Sequence, residues 1–495
     1  MTPILIQLRL DEDLKQAEQQ TDFVEPVKGL AGTLSDLMAK DANQARLRMT
    51  TKISKTGQGS SKGITKKQHV VAGLDIGTTK VSLVIGAVSA STQIQLAAPG
   101  AAPEINVDIV GLGTAPNTGL RQGVVVNVEA TTEAIAKARE EAELMSGHEI
   151  EEVYIAVGGN HIKSFDSRGM VAIRNKEVKS EDIDRVIEAA KAVAVPADRE
   201  VLHVLPREFK LDDQAGIFDP IGMSGVRLEA NVHIVTAGKT ALQNIVKCAE
   251  KAGLKVRGLV LQQLASSLSV LSDDEKKLGA AVVDLGGGTC DIITYVAGSV
   301  AHTSTVPVGG QHFTQDIAMG LRTPQTSAEK VKKKHGCAIA DLVDENETIE
   351  VEGVGGRKPR AVLRRDLCEV IEPRAEETLG LIWHEIRKSG LVNQIGSGIV
   401  LTGGACQLEG LLEMGEFISD IPVRRGVPEQ VGGLTDVVRS PEHATAVGLL
   451  NYAVDNMTAQ ERQRLVATPV EAGVSDVMSG WAQKVKDFFG GALNS

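Results

Sequence analysis

The sequence predicts an α/β protein whose two halves repeat one arrangement and face each other across a ligand-binding cleft. Two glycine-rich turns support this prediction, one from Leu74 to Lys80 and one from Val283 to Asp291. An apolar run precedes and follows each turn, which is typical of a β-hairpin. A third apolar run leads into a turn from Thr402 to Ala405. Since strands and amphipathic helices follow each hairpin, the pattern indicates a duplicated fold.

The residue types in the two hairpin turns favour phosphate binding. Glycine lets backbone N–H groups approach phosphate oxygens, and Thr78, Thr79 and Thr289 can add hydroxyl donors. Asp75 and Asp284 would repel bare phosphate, so we expect Mg²⁺ between them and the ligand, held through water. One copy alone would suit an ordinary hairpin turn equally well. Two copies make a phosphate site the better prediction.

Composition narrows the class of protein. The chain has 495 residues and a formal net charge of -11, which argues against nucleic acid as the main partner because phosphate backbones require clustered Lys and Arg. No apolar run is long enough to span a membrane, and the first residues lack a signal-peptide pattern. The cysteines show neither CxxC nor zinc-type His spacing, so we expect reduced thiols in a cytoplasmic protein. They are Cys248, Cys290, Cys337, Cys368 and Cys406.

Residues 1–68 differ in composition from the rest of the chain. The stretch from Lys40 to Lys67 is basic, rich in Gly and Ser and poor in large apolar groups. Such a segment cannot bury enough surface to offset the entropy of ordering, so we predict a disordered extension. It would act as a solvated linker or contact anionic lipid or acidic partners. Alternatively, translation begins at Met49 and the segment before it is not made.

Strands and helices are predicted in order from residue 70. The first half should contain strands at 70–76, 81–88 and 107–113 and a helix from Val128 to Met145, whose apolar residues fall on one face. A compact inserted block follows. It should contain strands at 153–159, 169–173, 201–211 and 230–236 and a helix at 180–194. The next helix, Lys239 to Ala252, is closed by Gly253.

A strand at 256–260 and a helix at 262–271 complete the first half. The second half repeats the scheme, with strands expected at 280–283, 292–296 and 399–402 and a loop-rich β segment up to about 358. Its helices are expected at 309–319, 327–336, 364–388, near 410 and at 443–452. Pro373 should kink the long helix or mark a boundary within it, because proline removes a hydrogen bond and clashes with the preceding turn.

The turns resemble those of the actin, Hsp70 and sugar-kinase superfamily of ATPases, and the runs between them resemble the bacterial cell-division FtsA family. The superfamily pattern lies in Asp75 to Thr79, Asp284 to Thr289 and Thr402 to Ala405. The family pattern lies in Glu140 to Gly147, His203 to Pro206, Gly225 to Arg227, Leu264 to Ser267 and Val447 to Leu450. The resemblance covers residues 70–460. It implies an actin-like ATPase fold with an FtsA-type inserted subdomain.

The resemblance also implies that ATP and Mg²⁺ bind between the halves. The first phosphate loop would comprise Asp75, Gly77, Thr78, Thr79 and Lys80, and the second Asp284, Gly286, Gly287, Gly288 and Thr289. Gly403, Gly404 and Ala405 would lie at the adenosine, beside Glu329, Lys330 and Lys333. Asp75 and Asp284 would be the Mg²⁺ carboxylates. Glu329 and Lys330 could instead be a solvated charge pair on a helix surface.

The family's subdivision implies the domain boundaries. Subdomain 1A would span 69–150 and 239–275, the inserted subdomain 1C 151–238, subdomain 2A 276–300 and 366–455, and subdomain 2B 301–365. The inserted subdomain is implied to make longitudinal contacts between protomers, and subdomain 2B to bind the C-terminal peptide of FtsZ. A flexible linker is expected at 456–475 and an amphipathic membrane-targeting helix at 476–491.

Gln262 is the candidate water-positioning residue. It begins the helix after the strand at 256–260, where members of the family often carry an acidic or amide residue. An amide can orient water but cannot accept a proton as a carboxylate does. We therefore expect slow or negligible ATP hydrolysis.

The C-terminal segment has the pattern of an interfacial amphipathic helix. Its apolar side chains recur at helical spacing on one face, and lysines flank them. The face comprises Val477, Met478, Trp481, Val485, Phe488 and Phe489, with Lys484 and Lys486 beside it. Alternatively, the segment docks on the protein core.

The function implied by the resemblance is that of an ATP-binding cell division protein that polymerises on the cytoplasmic face of the inner membrane. It would anchor FtsZ filaments there and help assemble the septum machinery with downstream division proteins. The alternative is a soluble small-molecule kinase of the same superfamily, which would need a catalytic base and has no use for an aromatic tail. A chaperone would need a substrate domain after residue 455.

Overall fold

The first glycine turn lies at the tip of the hairpin that begins the fold. The computed structural model of the protein describes residues 69–90 and 105–467. The extension at 1–68 and the helix at 476–491, both predicted above, lie outside the described residues. The first segment contains β1 (His69–Ile76), β2 (Lys80–Ala90), β3 (Ile105–Pro116), β4 (Leu120–Arg121), β5 (Val124–Val125), α1 (Val128–Ser146) and β6 (Glu152–Val157).

The inserted block forms a sheet of its own. It contains β7 (Lys163–Ala172), α2 (Ser180–Lys191), β8 (Arg199–Leu211), β9 (Gln214–Ile217) and β10 (Arg227–Gly238). The strands are antiparallel in the order β7-β10-β8-β9. Helix α2 covers one face, where Val186 and Ala190 join a separate apolar cluster. The alternation of apolar and polar residues in these strands fits a sheet with one covered face.

The chain then completes the first sheet and starts the second. The elements are α3 (Lys239–Lys251), β11 (Lys255–Leu261), α4 (Gln262–Val270), α5 (Asp273–Leu278), β12 (Ala280–Leu285), β13 (Cys290–Val296), β14 (Ser299–Val306), α6 (Gly310–Gly320) and α7 (Gln325–His335). The second glycine turn joins β12 and β13. Both predicted hairpins are therefore confirmed.

The last segment contains the long predicted helix. Its elements are β15 (Thr348–Val351), β16 (Arg360–Leu363), α8 (Arg364–Lys388), β17 (Ile399–Thr402), α9 (Leu411–Ser419), β18 (Val423–Arg425), β19 (Gly432–Gly433), α10 (Thr435–Val438), α11 (Ala444–Asp455) and α12 (Ala459–Ala467). Pro373 lies inside α8 without dividing it, so of the two effects expected from the proline, a kink or a boundary, the boundary is absent. Buried Ile371 and Ala375 on either side of the proline pack into the core of the second half, and this packing outweighs the lost hydrogen bond.

The two large sheets repeat the same strand order. The first runs β3-β2-β1-β6-β11 and the second β14-β13-β12-β17-β18, with β19 added at the edge of the first. In each sheet the hairpin strands are antiparallel, and the strand on the other side of the central one is parallel to it. The duplication expected from the turns is present in the topology.

Two helices lie between the sheets. Helices α4 and α11 pack together and contribute Leu264, Val447 and Leu450 to a core that also contains residues of both sheets. Gly448 allows their close approach, because a Cβ there would lie 1.7 Å from the Ala265 carbonyl oxygen. Helices α1 and α3 cover the outer face of the first sheet. Helices α6 to α9 cover the outer face of the second.

The end of the described chain differs from the expectation. Helix α12 occupies part of the segment 456–475, which was predicted to be a flexible linker. Glu461 caps this helix by accepting from Thr458, and it also forms an ion pair with Arg257 on β11. These contacts fix the first turns of the helix to the first half. Among the described residues, no helix combines the length and hydrophobicity needed to cross a bilayer.

Candidate nucleotide site

The two glycine turns are closed by the same backbone hydrogen bond. The N–H of Gly77 donates to the Lys80 carbonyl at 2.9 Å, and the N–H of Gly286 donates to the Thr289 carbonyl at 2.9 Å. Lys80 and Thr289 are therefore equivalent positions, each at the end of its turn. The loop tips present successive backbone N–H groups, as an anion-binding turn requires.

The turns meet across the two halves. A Cβ on Gly287 would lie 2.6 Å from Thr79 Cγ2, and a Cβ on Gly288 would lie 2.9 Å from Thr78 Oγ1. A Cβ at either position would force the facing threonine to move. The fold therefore brings the predicted residues of the two phosphate turns together.

The Asp284 carboxylate is held by three donors. Its Oδ2 accepts from Ser266 Oγ at 2.7 Å, Thr445 Oγ1 at 2.9 Å and Gln262 Nε2 at 3.3 Å. Its Oδ1 faces Gly403, where a Cβ would lie 2.4 Å away. Ser266 and Thr445 come from the two helices between the sheets, and the sequence analysis did not identify either residue.

Asp75 lies in a different environment. Its carboxylate accepts no hydrogen bond from the described residues. Burial, together with the nearby charges of Asp284 and Asp291, raises the pKa of Asp75 to about 7. A carboxyl with this pKa needs a proton or a cation as its counter-charge.

Asp291 is a third carboxyl of this site, fully buried, that the sequence analysis missed as a site residue. Thr289 Oγ1 donates to it at 2.9 Å and Thr305 Oγ1 at 2.7 Å. Burial raises its pKa to about 6 despite these hydrogen bonds. Its position inside the run from Val283 to Asp291 was the available signal, because Asp291 pairs directly with Asp284 across the hairpin.

The carboxyls fit a hydrated divalent cation. In the described part of the chain, no three His, Cys, Asp or Glu side chains are close enough together to bind a metal ion directly. Mg²⁺ keeps several of its waters and reaches most protein carboxylates through them. The raised pKa of Asp75 beside Asp284 and Asp291 indicates a deficit of positive charge that such an ion would correct.

The third glycine turn lies next to the second. Gly403 has φ of 83°, in the left-handed region, and its N–H donates to the Pro441 carbonyl at 3.2 Å. Ala405 lies beside the start of α6, since a Cβ on Gly310 would be 3.3 Å from Ala405 Cβ. The N–H of Gly310 also donates to the Gly286 carbonyl at 2.9 Å. The second and third glycine turns thus lie next to each other at the start of α6.

The predicted adenosine residues on α7 differ in their contacts. The Glu329 carboxylate pairs with Lys332 at 2.7 Å and lies 3.6 Å from Lys333, and it also accepts from Thr314. Lys332 Nζ reaches the Gly310 carbonyl at 2.9 Å, whereas Lys330 is exposed. Positions three and four residues apart share a helix face and adjacent positions do not. This periodicity favours Lys332 over Lys330 and was available in the sequence.

Lys80 lies at the end of the first turn, where a phosphate-binding lysine is expected. Its ammonium forms an ion pair with Glu442 at 2.9 Å. The sequence analysis did not identify Glu442, which is far away in the chain.

The cysteines match the expectation of reduced thiols. All are free and buried. Burial, followed by the charges of Asp291 and Asp284, raises the pKa of Cys290 well above its usual value. A thiol with a raised pKa is a poor nucleophile, in agreement with a packing role inside the second hairpin.

Comparison with known proteins places the fold and the insertion in one family. A family model described as cell division protein FtsA matches residues 281–448, and a model of the SHS2 domain inserted in FtsA matches residues 159–236. The cell division protein FtsA of Pseudomonas aeruginosa is 48% identical over 389 residues, which are 79% of this chain and 90% of that protein. The FtsA of Escherichia coli is 40% identical over 428 residues, 85% of this chain and 97% of that protein.

A solved structure has the same fold at low sequence identity. The PilM-PilN type IV pilus biogenesis complex superposes with a TM-score of 0.53 and 18% identity, over 78% of this chain and 99% of the matched chain. At this identity the similarity concerns the fold alone.

The membrane-facing residues predicted between Val477 and Phe489 lie outside the described residues.

Proposed function

The chain belongs to the FtsA family of cell division proteins, and we propose that it acts as an ATP-dependent scaffold of the division septum. In this function it binds ATP with Mg²⁺, polymerises on the cytoplasmic face of the inner membrane and holds FtsZ filaments there through their C-terminal peptide. Downstream division proteins would assemble on the same polymer. The observation that carries the ATP site is the contact between the two glycine turns of the duplicated halves.

The phosphates would bind where these turns meet. The backbone N–H groups of both turns, the hydroxyls of Thr78 and Thr79 and the ammonium of Lys80 would supply the donors. Asp75, Asp284 and Asp291 would hold Mg²⁺ through its waters, and the bound ion would neutralise the charge between carboxylates and phosphates.

The adenosine would lie in the corner formed by the third glycine turn and helices α6 and α7. Gly403, Gly404 and Ala405 would line one side, and Glu329, Lys332 and Lys333 the other. The amide nitrogen of Gln262 donates to Asp284, which leaves its oxygen to orient a water near the phosphates. An amide there is a poor proton acceptor, so we propose slow turnover.

Calorimetric titration of the full-length protein with ATP, with and without Mg²⁺, tests the site. We expect saturable, Mg²⁺-dependent binding that Asp75→Ala abolishes. The matched control is Asp108→Ala on β3, which has no place in the proposed site. Equal ATP binding by wild type and Asp75→Ala would contradict the proposal.

Liposome flotation tests the membrane anchor. A variant that ends near Gln463 and the variant Trp481→Glu should both fail to float with anionic vesicles. Gln483→Glu adds the same charge on the opposite side of the predicted helix and should float like wild type. Flotation of the shortened variant at the wild-type level would exclude the tail as the anchor.

Co-sedimentation on vesicles separates the scaffold from the soluble kinase alternative. With ATP, the full-length protein should bring FtsZ down with the vesicles, and FtsZ without its C-terminal peptide should stay in the supernatant. Recovery of both forms of FtsZ in the supernatant would contradict the proposed partner.

A further inference from the structure

Lys80, the proposed phosphate-binding lysine, already forms an ion pair with a carboxylate. Lys80 Nζ lies 2.9 Å from Glu442 Oε2, and the two side chains are 26% and 35% exposed. Lys80 starts β2 in the first half, and Glu442 precedes α11 near the end of the fold. The pair therefore links the first hairpin to the segment that precedes α11.

The backbone of Lys80 is fixed to the first glycine turn. Its carbonyl accepts the N–H of Gly77 at 2.9 Å. The side chain consequently starts at the point where the turn would hold phosphate, and a phosphate in the turn lies within reach of the ammonium.

The backbone of Glu442 is fixed to the third glycine turn. Glu442 is the middle residue of a 3-10 turn, Pro441–His443. The Pro441 carbonyl accepts from the N–H of Gly403 at 3.2 Å and from Thr402 Oγ1 at 3.3 Å. A Cβ on Gly404 would lie 3.7 Å from Glu442 Cβ. Glu442 therefore reaches from the predicted adenosine side of the cleft to the phosphate side.

We propose that Glu442 is an internal competitor of phosphate for Lys80 and thereby sets the affinity of the cleft for phosphorylated nucleotides. The inference rests on the proposed ATP site and deepens it. A ligand whose phosphates pair with Lys80 must displace the carboxylate, whereas adenosine alone leaves the ion pair in place. Glu442 is partly exposed, so a displaced carboxylate can turn towards water.

The strength of the pair decides the size of the effect. Ion pairs that remain partly exposed are weak, because water competes for both charges and salt screens them. Phosphates carry more charge than one carboxylate and bind several further donors in the turns. The need to displace Glu442 from Lys80 should therefore weaken ATP binding by about three- to tenfold without preventing it.

Calorimetric titration of the full-length protein with ATP, ADP and adenosine in the presence of Mg²⁺ tests this inference. Glu442→Gln keeps the size of the side chain and removes its charge, and Glu442→Ala removes the carboxylate altogether. Both variants should bind ATP and ADP about three- to tenfold more tightly than wild type, with adenosine affinity unchanged. Glu429→Gln removes an exposed charge of the same half and serves as the matched control, with wild-type affinity expected.

The alternative results separate the failure of this inference from the failure of the proposed function. Weaker binding of ATP and adenosine by Glu442→Gln would mean that Glu442 contacts the nucleoside, and equal ATP affinities would mean that the ion pair has no effect. Either result overturns the inference alone. Failure of wild type and both variants to bind ATP would overturn the proposed function and this inference with it. ATP binding by the variants alone would support the competitor role strongly.

Discussion

In the first half of the molecule, Asp75 is the next-to-last residue of the strand that leads into a glycine turn, and in the second half Asp284 holds the same place. The backbone around the two aspartates is alike, because the two sheets have the same strand order and the same hydrogen bond closes both turns. Their partners across the hairpin differ, however. Asp75 pairs with Ser82, and Asp284 pairs with Asp291. The last turn residue is Lys80 in the first half and Thr289 in the second.

The hydrogen bonds differ as well. Three side chains donate to Asp284, and Thr289 and Thr305 donate to Asp291. Asp75 has no such donors among the described residues. The duplicated backbone thus creates two similar turns, whereas the side chains give the second half fixed carboxylates and the first half a lysine and an aspartate that lacks donors. Four predictions test this difference.

The largest effect is expected where the halves touch. Gly287→Asp places a charged side chain against Thr79, since even a Cβ would lie 2.6 Å from its Cγ2. We expect ATP affinity to fall by more than about 100-fold, measured by calorimetry, with tail-driven lipid binding retained. Gly380→Ala on α8 is the control, because a Cβ there meets nothing within 4 Å. Simultaneous loss of lipid binding would show that the substitution acts by unfolding the protein.

The second prediction concerns pH. Burial, followed by the charges of Asp284 and Asp291, raises the pKa of Asp75 to about 7 from its usual value of 3.8. The native state therefore binds more protons than the unfolded chain between these values, and the free energy of unfolding should fall as pH rises through this range. We expect roughly 2 kcal/mol of loss between pH 5 and 7 without Mg²⁺ or nucleotide.

Urea unfolding at several pH values measures this effect. Asp75→Asn cannot titrate and should retain only the smaller pH dependence that comes from Asp291, whose pKa is about 6. An unchanged pH dependence in Asp75→Asn would rule out Asp75 as its source.

The third prediction compares the two aspartates directly. Asp284→Asn should lower the stability of the ligand-free protein by about 1–2 kcal/mol, because buried donors lose a charged acceptor. Asp75→Asn should leave stability unchanged or raise it at pH 8, because it removes a partly buried charge that has no hydrogen-bond donor. Urea unfolding at pH 8 measures both variants. Equal losses would show that the two environments are equivalent after all.

The smallest effect is expected at the adenosine corner of the second half. Lys332→Ala should weaken ATP binding about fivefold, because it removes the partner that holds Glu329. Lys330→Ala changes an exposed side chain on the same helix and should bind ATP like wild type. Competition with a fluorescent nucleotide measures both affinities. The opposite ranking would restore Lys330 as the site residue.

Local patterns made much of the fold predictable. Apolar alternation gives strands, apolar residues at helical spacing give helices, and an aspartate followed by glycines gives a tight turn. These signals located both hairpins, the inserted block and α1. They also identified the two phosphate turns as two copies of one motif. The boundary that was one of the two effects expected of Pro373 is absent because the apolar residues that flank the proline are held by distant parts of the core, which local propensity does not include.

The sequence by itself determined the duplicated α/β arrangement and the residues of the two phosphate turns, because each of these depends on neighbours a few positions apart. Only the tertiary structure decided which side chains surround the aspartates. Ser266 and Thr445 reach Asp284 because α4 and α11 pack between the sheets, and Lys80 meets Glu442 across a separation of 362 residues. Such contacts follow from the packing of whole layers, and no short window of sequence contains both partners.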